Sequence, residues 1–249
     1  MHLLLSGEGA MDMGVCHSGL KQCESSDFQI GPMSWLVDQL VGDSQGYEFS
    51  YLQNACFSYV SESFLAENKQ KPAKKAMNLR GRKRPPETQY FYENARALAV
   101  EAKQKADDLN DTVIAVLFRD ADGTASAGRG HWKHKRDSMI NGFQAEGFEF
   151  GVPMIPKPKS EAWLLCAVKE NPYQACGGLE DESGNDSAEH PLKAQLSAAL
   201  NGKDSIDEIN DMLLKGSIDV HQIDMLSFNA FKDNLKEVVK SAIGLPLGD

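Results

Sequence analysis

The chain has 249 residues, with 36 Asp and Glu against 26 Lys and Arg and a formal net charge of −10. Its 41% hydrophobic and 25% charged residues suit a globular protein and exclude a fibrous or wholly disordered one. No apolar run approaches the roughly 18 residues of a membrane helix, and the acidic average argues against wholesale electrostatic attraction to nucleic acid.

The opening M-H-L-L-L-S-G-E has too short an apolar stretch for a secretory signal, and a glutamate follows at once. A cytoplasmic protein is the expectation. Residues 2–6 read as a short buried strand, followed by the small-residue loop Gly7, Glu8, Gly9 and Ala10, with Asp12 behind it as a local cap. Cys16, Cys23, Cys56, Cys166 and Cys176 contain no C-x-x-C pair, and Cys16, His17 and Cys23 lack a fourth ligand at zinc spacing. They read as reduced thiols in a reducing compartment, Cys166 being core. Pro32 to Val41 has helical spacing, with Met33, Leu36, Val37, Leu40 and Val41 on one face and a stop at Gly42. Glu48 to Asn54 reads as a second strand.

Lys69 to Arg84 holds eight basic residues, including Lys74, Lys75, Arg80, Arg82, Lys83 and Arg84, and no acid. Within an acidic chain this proline-containing segment, 68–87, reads as an exposed insertion that contacts a phosphate backbone. Thr88 to Asn110 is a long helix capped by Thr88, with Ala95, Ala99 and Ala102 on one face. Val113 to Phe118 is an unbroken apolar run, the signature of a strand buried on both faces. Ala125 to Gly130 reads as small and flexible, and Arg129, Lys133, Lys135 and Arg136, with His131 and His134, form a second basic cluster. A helix through Met139 and Phe143 ends at Gly147, a strand spans Phe148 to Ile155, and Ser160 caps a helix over Glu161 to Val168. Residues 170–190, rich in Gly, Ser, Asn and acids, read as a loosely held surface loop. Helices follow over Pro191–Leu200, Ser205–Leu214 (opened by an S-x-x-E capping box) and Phe228–Ile243.

Alternating strands and helices predict an open, mostly parallel α/β sheet flanked by helices. The expected organisation is a catalytic region over 1–168, an acidic loop over 169–190, and a helical C-terminal subregion over 191–249 packed on the same domain.

The chemistry gathers at strand ends. Arg119-Asp-Ala-Asp-Gly-Thr124 closes the central strand, and residues two apart in an extended chain point the same way, so Asp120 and Asp122 can converge. If the first strand is a neighbour, Glu8 reaches the same point. A carboxylate cluster of this kind suits a hard, partly hydrated cation such as Mg²⁺, with Mn²⁺ as an alternative.

Glu8-Gly9, Asp120-x-Asp122 and Glu161-Ala-Trp-Leu-Leu165 in this order resemble the Toprim family, the catalytic domain shared by topoisomerases, primases and OLD-type nucleases. The narrower likeness is to single-domain RloB-like members carrying the E-A-W-L-L motif, and it covers roughly 2–10 and 112–168. The resemblance implies a Toprim-like fold and Mg²⁺-dependent phosphodiester hydrolysis of DNA or RNA. It further implies an anti-phage defence role beside an ABC- or SMC-like ATPase partner, since the chain has no G-x-x-x-x-G-K-[ST] of its own. On that pattern Glu8, Asp120 and Asp122 hold the metal, Glu161 is a further carboxylate, and Lys157 or Lys159 offsets charge on the scissile phosphate. Lys74, Lys75, Arg80, Arg82, Lys83, Arg84, Arg129 and Lys133 would bind the nucleic acid. Each has a plainer reading: Glu161 as a favourable first-turn acid, the lysines and histidines as solvated surface. Two other classes stay open. One is a non-catalytic nucleic-acid-binding subunit on the same fold. The other is a haloacid-dehalogenase-type phosphatase, whose first motif F-R-D-A-D-G-T resembles.

Overall fold

The structure, a computed structural model, describes residues 1–70, 86–121 and 130–245. Its elements in chain order begin with β1 (His2–Gly7), β2 (Gly14–Cys16), β3 (Gln22–Glu24) and β4 (Phe28–Ile30). Then come α1 (Pro32–Gln45), β5 (Phe57–Ser61), α2 (Glu62–Glu67), α3 (Pro86–Leu109) and β6 (Val113–Phe118). The remainder is α4 (Gly130–Ala145), β7 (Gly151–Met154), α5 (Ser160–Val168), α6 (Leu192–Ala199), α7 (Ile206–Leu214) and α8 (Leu226–Ala242).

The main sheet has the order β3-β5-β1-β6-β7, parallel throughout except for the antiparallel edge strand β3. β2 and β4 form a separate antiparallel pair. The expected mixed α/β architecture with a mostly parallel sheet is therefore present. Alternation along the central strands explains it. Leu3 and Leu5 of β1, with Ile114, Val116 and Phe118 of β6, join one core cluster, which also holds residues of α1, α5 and α8. Leu4, with Val113, Ala115 and Leu117, joins the opposite cluster, built on α3 and α4. Each such fully buried aliphatic side chain contributes about 1.5–3 kcal/mol. α3 and α4 approach so closely that a Cβ on Gly142 would lie 2.5 Å from the Tyr92 carbonyl oxygen, which only glycine at that crossing permits. Among the described residues no helix is long and apolar enough to cross a membrane.

Several expectations are corrected. Residues 48–54 are not a strand; β5 begins at Phe57. Buried Asp38 of α1 captures this segment instead, its carboxylate accepting from Tyr51 N (2.7 Å), Leu52 N (3.1 Å) and Ser50 Oγ (2.6 Å). With those amides satisfied by a side chain, adjacent Tyr51 and Leu52 are both buried and strand alternation is lost. α1 runs through Gly42 and stops at Gly46, whose positive φ of 77° forms the left-handed cap. Thr88 lies inside α3, which is under way from Pro86. Helix α4 begins at Gly130, so His131 to Arg136 belong to the helix expected through Met139 and Phe143. The last strand is trimmed to Gly151–Met154.

The segment 170–190 is not loosely held. Cys176, Leu179 and Glu180 are buried, and Glu180 Oε1 accepts a hydrogen bond from Ser227 N at 2.6 Å. The reading of all five cysteines as thiols is corrected as well, because Cys16 pairs with Cys23 and Cys166 with Cys176, leaving Cys56 free. The first bond joins β2 to the sheet edge β3, and the second ties α5 to the 170–190 segment.

Candidate active site

Three neighbouring parallel strands end level with one another. Gly7 of β1 stands opposite both Ser61 of β5 and Phe118 of β6. The next residue on each strand is ionisable: Glu8, Glu62 and Arg119. Arg119 reaches across all three, pairing closely with Glu62 and, at 3.5 Å, with Glu8 Oε2. Its guanidinium lies 4.2 Å from the Tyr90 ring centroid. Burial works against its charge, but Glu8, Glu62 and Tyr90 outweigh that and raise its pKa.

Asp120 follows directly. Its backbone N–H donates to Glu8 Oε1 at 3.3 Å, and its own Oδ1 accepts from Ser160 N, the first amide of α5, at 2.9 Å. Ser160 therefore does not cap α5 as expected. It is the first helical residue, and a carboxylate from another strand satisfies its N–H. The Ser160 hydroxyl in turn donates to Asp12 and lies 3.4 Å from Glu161 Oε2. Asp12 is thus a member of the cluster and not a local cap. It lies in a short π-type turn, Gly9–Met13, opened by Gly9 at φ +80°, where a Cβ would fall 2.5 Å from Asp12 Oδ2. This gives the glycine of E-G a physical reason.

The structure so gathers Glu8, Asp12, Asp120 and Glu161 through hydrogen bonds centred on Asp120 and Ser160. Asp122 lies outside the described residues, as do Lys74, Lys75, Arg80, Arg82, Lys83, Arg84 and Arg129. Lys133 is exposed on α4. Lys159 pairs with Asp186 at 2.8 Å, and Lys157 with Asp181 at 3.3 Å. Both lysines are well covered, with 16% and 19% of their side chains exposed, so the reading of them as simply solvated does not hold. Lys135, grouped by sequence with the surface basic cluster, is 3% exposed and donates to the Ala121 carbonyl behind Asp120.

Arg119, Glu62, Ser160 and Lys135 were not singled out by sequence as site residues. The only signal for Asp12 was its position four residues after Glu8. No family model matches the chain, and comparisons with curated proteins and with solved structures return no match.

The donor chemistry fits a hard cation in part. All four gathered side chains offer oxygen alone, and desolvation raises the Asp12 pKa from its ordinary 3.8 to about 6, a penalty that a bound cation would offset. Glu161 adds to the rise, while the Ser160 hydroxyl, Lys159 and Lys193 oppose it. Among the described residues, no three such side chains are close enough to hold a metal.

The Asp12 shift has a stability consequence. A proton binds the folded chain more tightly than the unfolded one, so this contribution is favourable below about pH 4 and is lost as pH rises through about 6. The loss approaches about 3 kcal/mol for a two-unit shift. In chelator, Asp12→Asn, which keeps an acceptor for Ser160, should melt higher than the native chain at pH 7.5 and equally at pH 4. Identical melting at both pH values would show that Asp12 is solvated and ordinary.

Proposed function

We propose that the protein is a Mg²⁺-dependent nuclease that hydrolyses phosphodiester bonds in DNA or RNA, with Mn²⁺ able to substitute. The observation that carries this reading is the juxtaposition of Glu8 and Asp120, Oε1 to N 3.3 Å, at the ends of adjacent parallel strands β1 and β6. Asp12 and Glu161 are brought to them through Ser160. The carboxyl ends of parallel strands are where open α/β sheets place ligand chemistry, and the order E-G, D-x-D, E-A-W-L-L supports the same reading.

Glu8, Asp120 and Asp122 would hold the cation, with Asp12 and Glu161 beside them. When bound, the cation would lower the pKa of a coordinated water and offset charge on the phosphate. In hydrolysis the water oxygen bonds to phosphorus, the bond to the leaving sugar oxygen breaks, and a nearby carboxylate takes the proton. Lys159, paired with Asp186 and immediately before Ser160, would counter charge on the phosphate. The basic segment 69–84, Arg129, and Lys133 of α4 would supply backbone contacts, and an ATPase partner in phage defence, in the cytoplasm, completes the proposal.

The test is incubation of purified protein with supercoiled plasmid and with labelled single-stranded RNA, with Mg²⁺ or Mn²⁺ and with chelator. Cleavage of at least one substrate only when the cation is present is the expected result. Retention of nucleic acid without cleavage, unchanged by chelator, would replace the reading with a binding subunit. Release of phosphate from a small phosphomonoester without cleavage of either polymer would replace it with a phosphatase.

A further inference from the structure

Arg119 is a cation set among the carboxylates of a candidate cation site, and its contacts are uneven. Glu62 holds it closely, whereas the Glu8 contact is 3.5 Å, beyond good hydrogen-bond length. The other oxygen of Glu8 accepts from Asp120 N at 3.3 Å. The Tyr90 ring at 4.2 Å and the Phe91 ring at 5.4 Å fix the guanidinium from the side of α3. The anchored side is thus Glu62 with the two rings. The loose side faces Glu8, whose side chain is 27% exposed against 19% for Glu62. A pure strand-end clasp would have no need for a second carboxylate held at such length. A guanidinium with a fixed plane and one loosely engaged edge is instead a preorganised receptor for a tetrahedral oxyanion.

We propose that Arg119 is a substrate-binding residue that takes a backbone phosphate of the nucleic acid, and that Glu8 occupies that edge of the guanidinium until the phosphate arrives. The inference rests on the nucleic-acid reading above and names the residue that meets the phosphate. Glu62 and Tyr90 keep the fork in place, and neutralising Glu8 hands its edge to the phosphate. Arg119 and Glu8 are therefore energetically coupled in substrate binding, and that coupling exists without any metal.

The experiment is fluorescence anisotropy of a labelled single-stranded DNA oligonucleotide in chelator, over a range of salt. It uses the full chain and its R119Q, E8Q and doubly substituted forms. R119Q should weaken binding about tenfold and lower the slope of log affinity against log salt by about 0.7, the value for one phosphate contact on a single strand. E8Q should tighten binding severalfold, and most of that gain should vanish when Arg119 is also replaced, because the two effects are not additive for interacting groups. Unchanged affinity and slope in folded R119Q, or strictly additive effects of the two substitutions, would overturn the proposal. Should R119Q fail to fold, R119K decides: charge is kept but the fork is lost, so a severalfold loss supports the assignment and native affinity overturns it. Metal-dependent cleavage with no effect of Arg119 on binding removes this inference and leaves the nuclease reading standing. A native chain that neither binds nor cleaves nucleic acid removes both.

Discussion

Asp120→Asn should eliminate metal-dependent cleavage, by about 10³-fold or more, while leaving the melting temperature near that of the native chain. Asp120 has two separable duties. Its negative charge belongs to the carboxylate set, and losing charge stabilisation at a reacting phosphate costs on the order of 10²–10³ in rate even for a single donor. Its Oδ1 also accepts the first amide of α5 at 2.9 Å, acting as a cap supplied from another strand. Asparagine retains an acceptor and discards the charge. Alanine discards both, so Asp120→Ala should lose activity equally and stability by about 1 kcal/mol more, the typical cost of a lost helix cap. Comparing cleavage rates and melting curves of the two variants checks this. An Asn variant retaining a tenth of native activity would mean that the charge on Asp120 is dispensable, and the nuclease reading would go with it.

How much of this was legible in the sequence follows from how local each feature is. Val113–Phe118 declares itself because burial on both faces leaves an unbroken apolar run, and Ser205 with Glu208 forms the expected capping box because both partners lie within one turn. Glu8 and Asp120 could be nominated separately, but their meeting depends on β1 and β6 being neighbours, a pairing across more than a hundred residues that no local pattern encodes. The same holds for Asp12 and Ser160, which meet only because the turn after β1 and the start of α5 share one end of the sheet. Arg119 was passed over, and Lys135 was placed with the surface basic cluster, for a different reason. Charged side chains are read as surface by default, yet Arg119 spans two carboxylates and a ring, and Lys135 spends its ammonium on the Ala121 carbonyl. A lysine on the buried face also blurs helical periodicity, which hid the start of α4. In 170–190 the polar composition concealed a few specific ties: the Cys166–Cys176 bond, Leu179 in the core, and Glu180 on the amide of Ser227.

Trp163→Ala should be the most destabilising single change outside the site, costing about 3–5 kcal/mol as a large aromatic is removed from a closed core. Trp163 has no exposed surface. Its ring meets Phe228 edge-on at 5.0 Å and stacks with Phe231 at 5.9 Å, and its Nε1–H donates to Ser227 Oγ at 2.9 Å. Those three partners all lie on α8, so one side chain fastens α5 to the C-terminal helix. Domains are typically stable by only about 5–15 kcal/mol, and at this chain length each kcal/mol shifts the midpoint by about 2–4 °C. A fall of about 6–20 °C is therefore expected in a thermal melt. Trp163→Phe keeps aromatic packing and loses the hydrogen bond, and should fall by only a few degrees. A drop below about 3 °C for the alanine variant would show that α5 is held elsewhere. The same helix opens with Ser160 and Glu161, so E-A-W-L-L divides between a site residue and a core residue two positions apart. Well below its midpoint the alanine variant should bind and cleave within a few-fold of the native chain, and fail steeply as the melt begins. That pattern is the reverse of Asp120→Asn, which stays folded and inactive at every temperature; the pair separates the residue that fixes α5 from the carboxylate that α5 is fixed against.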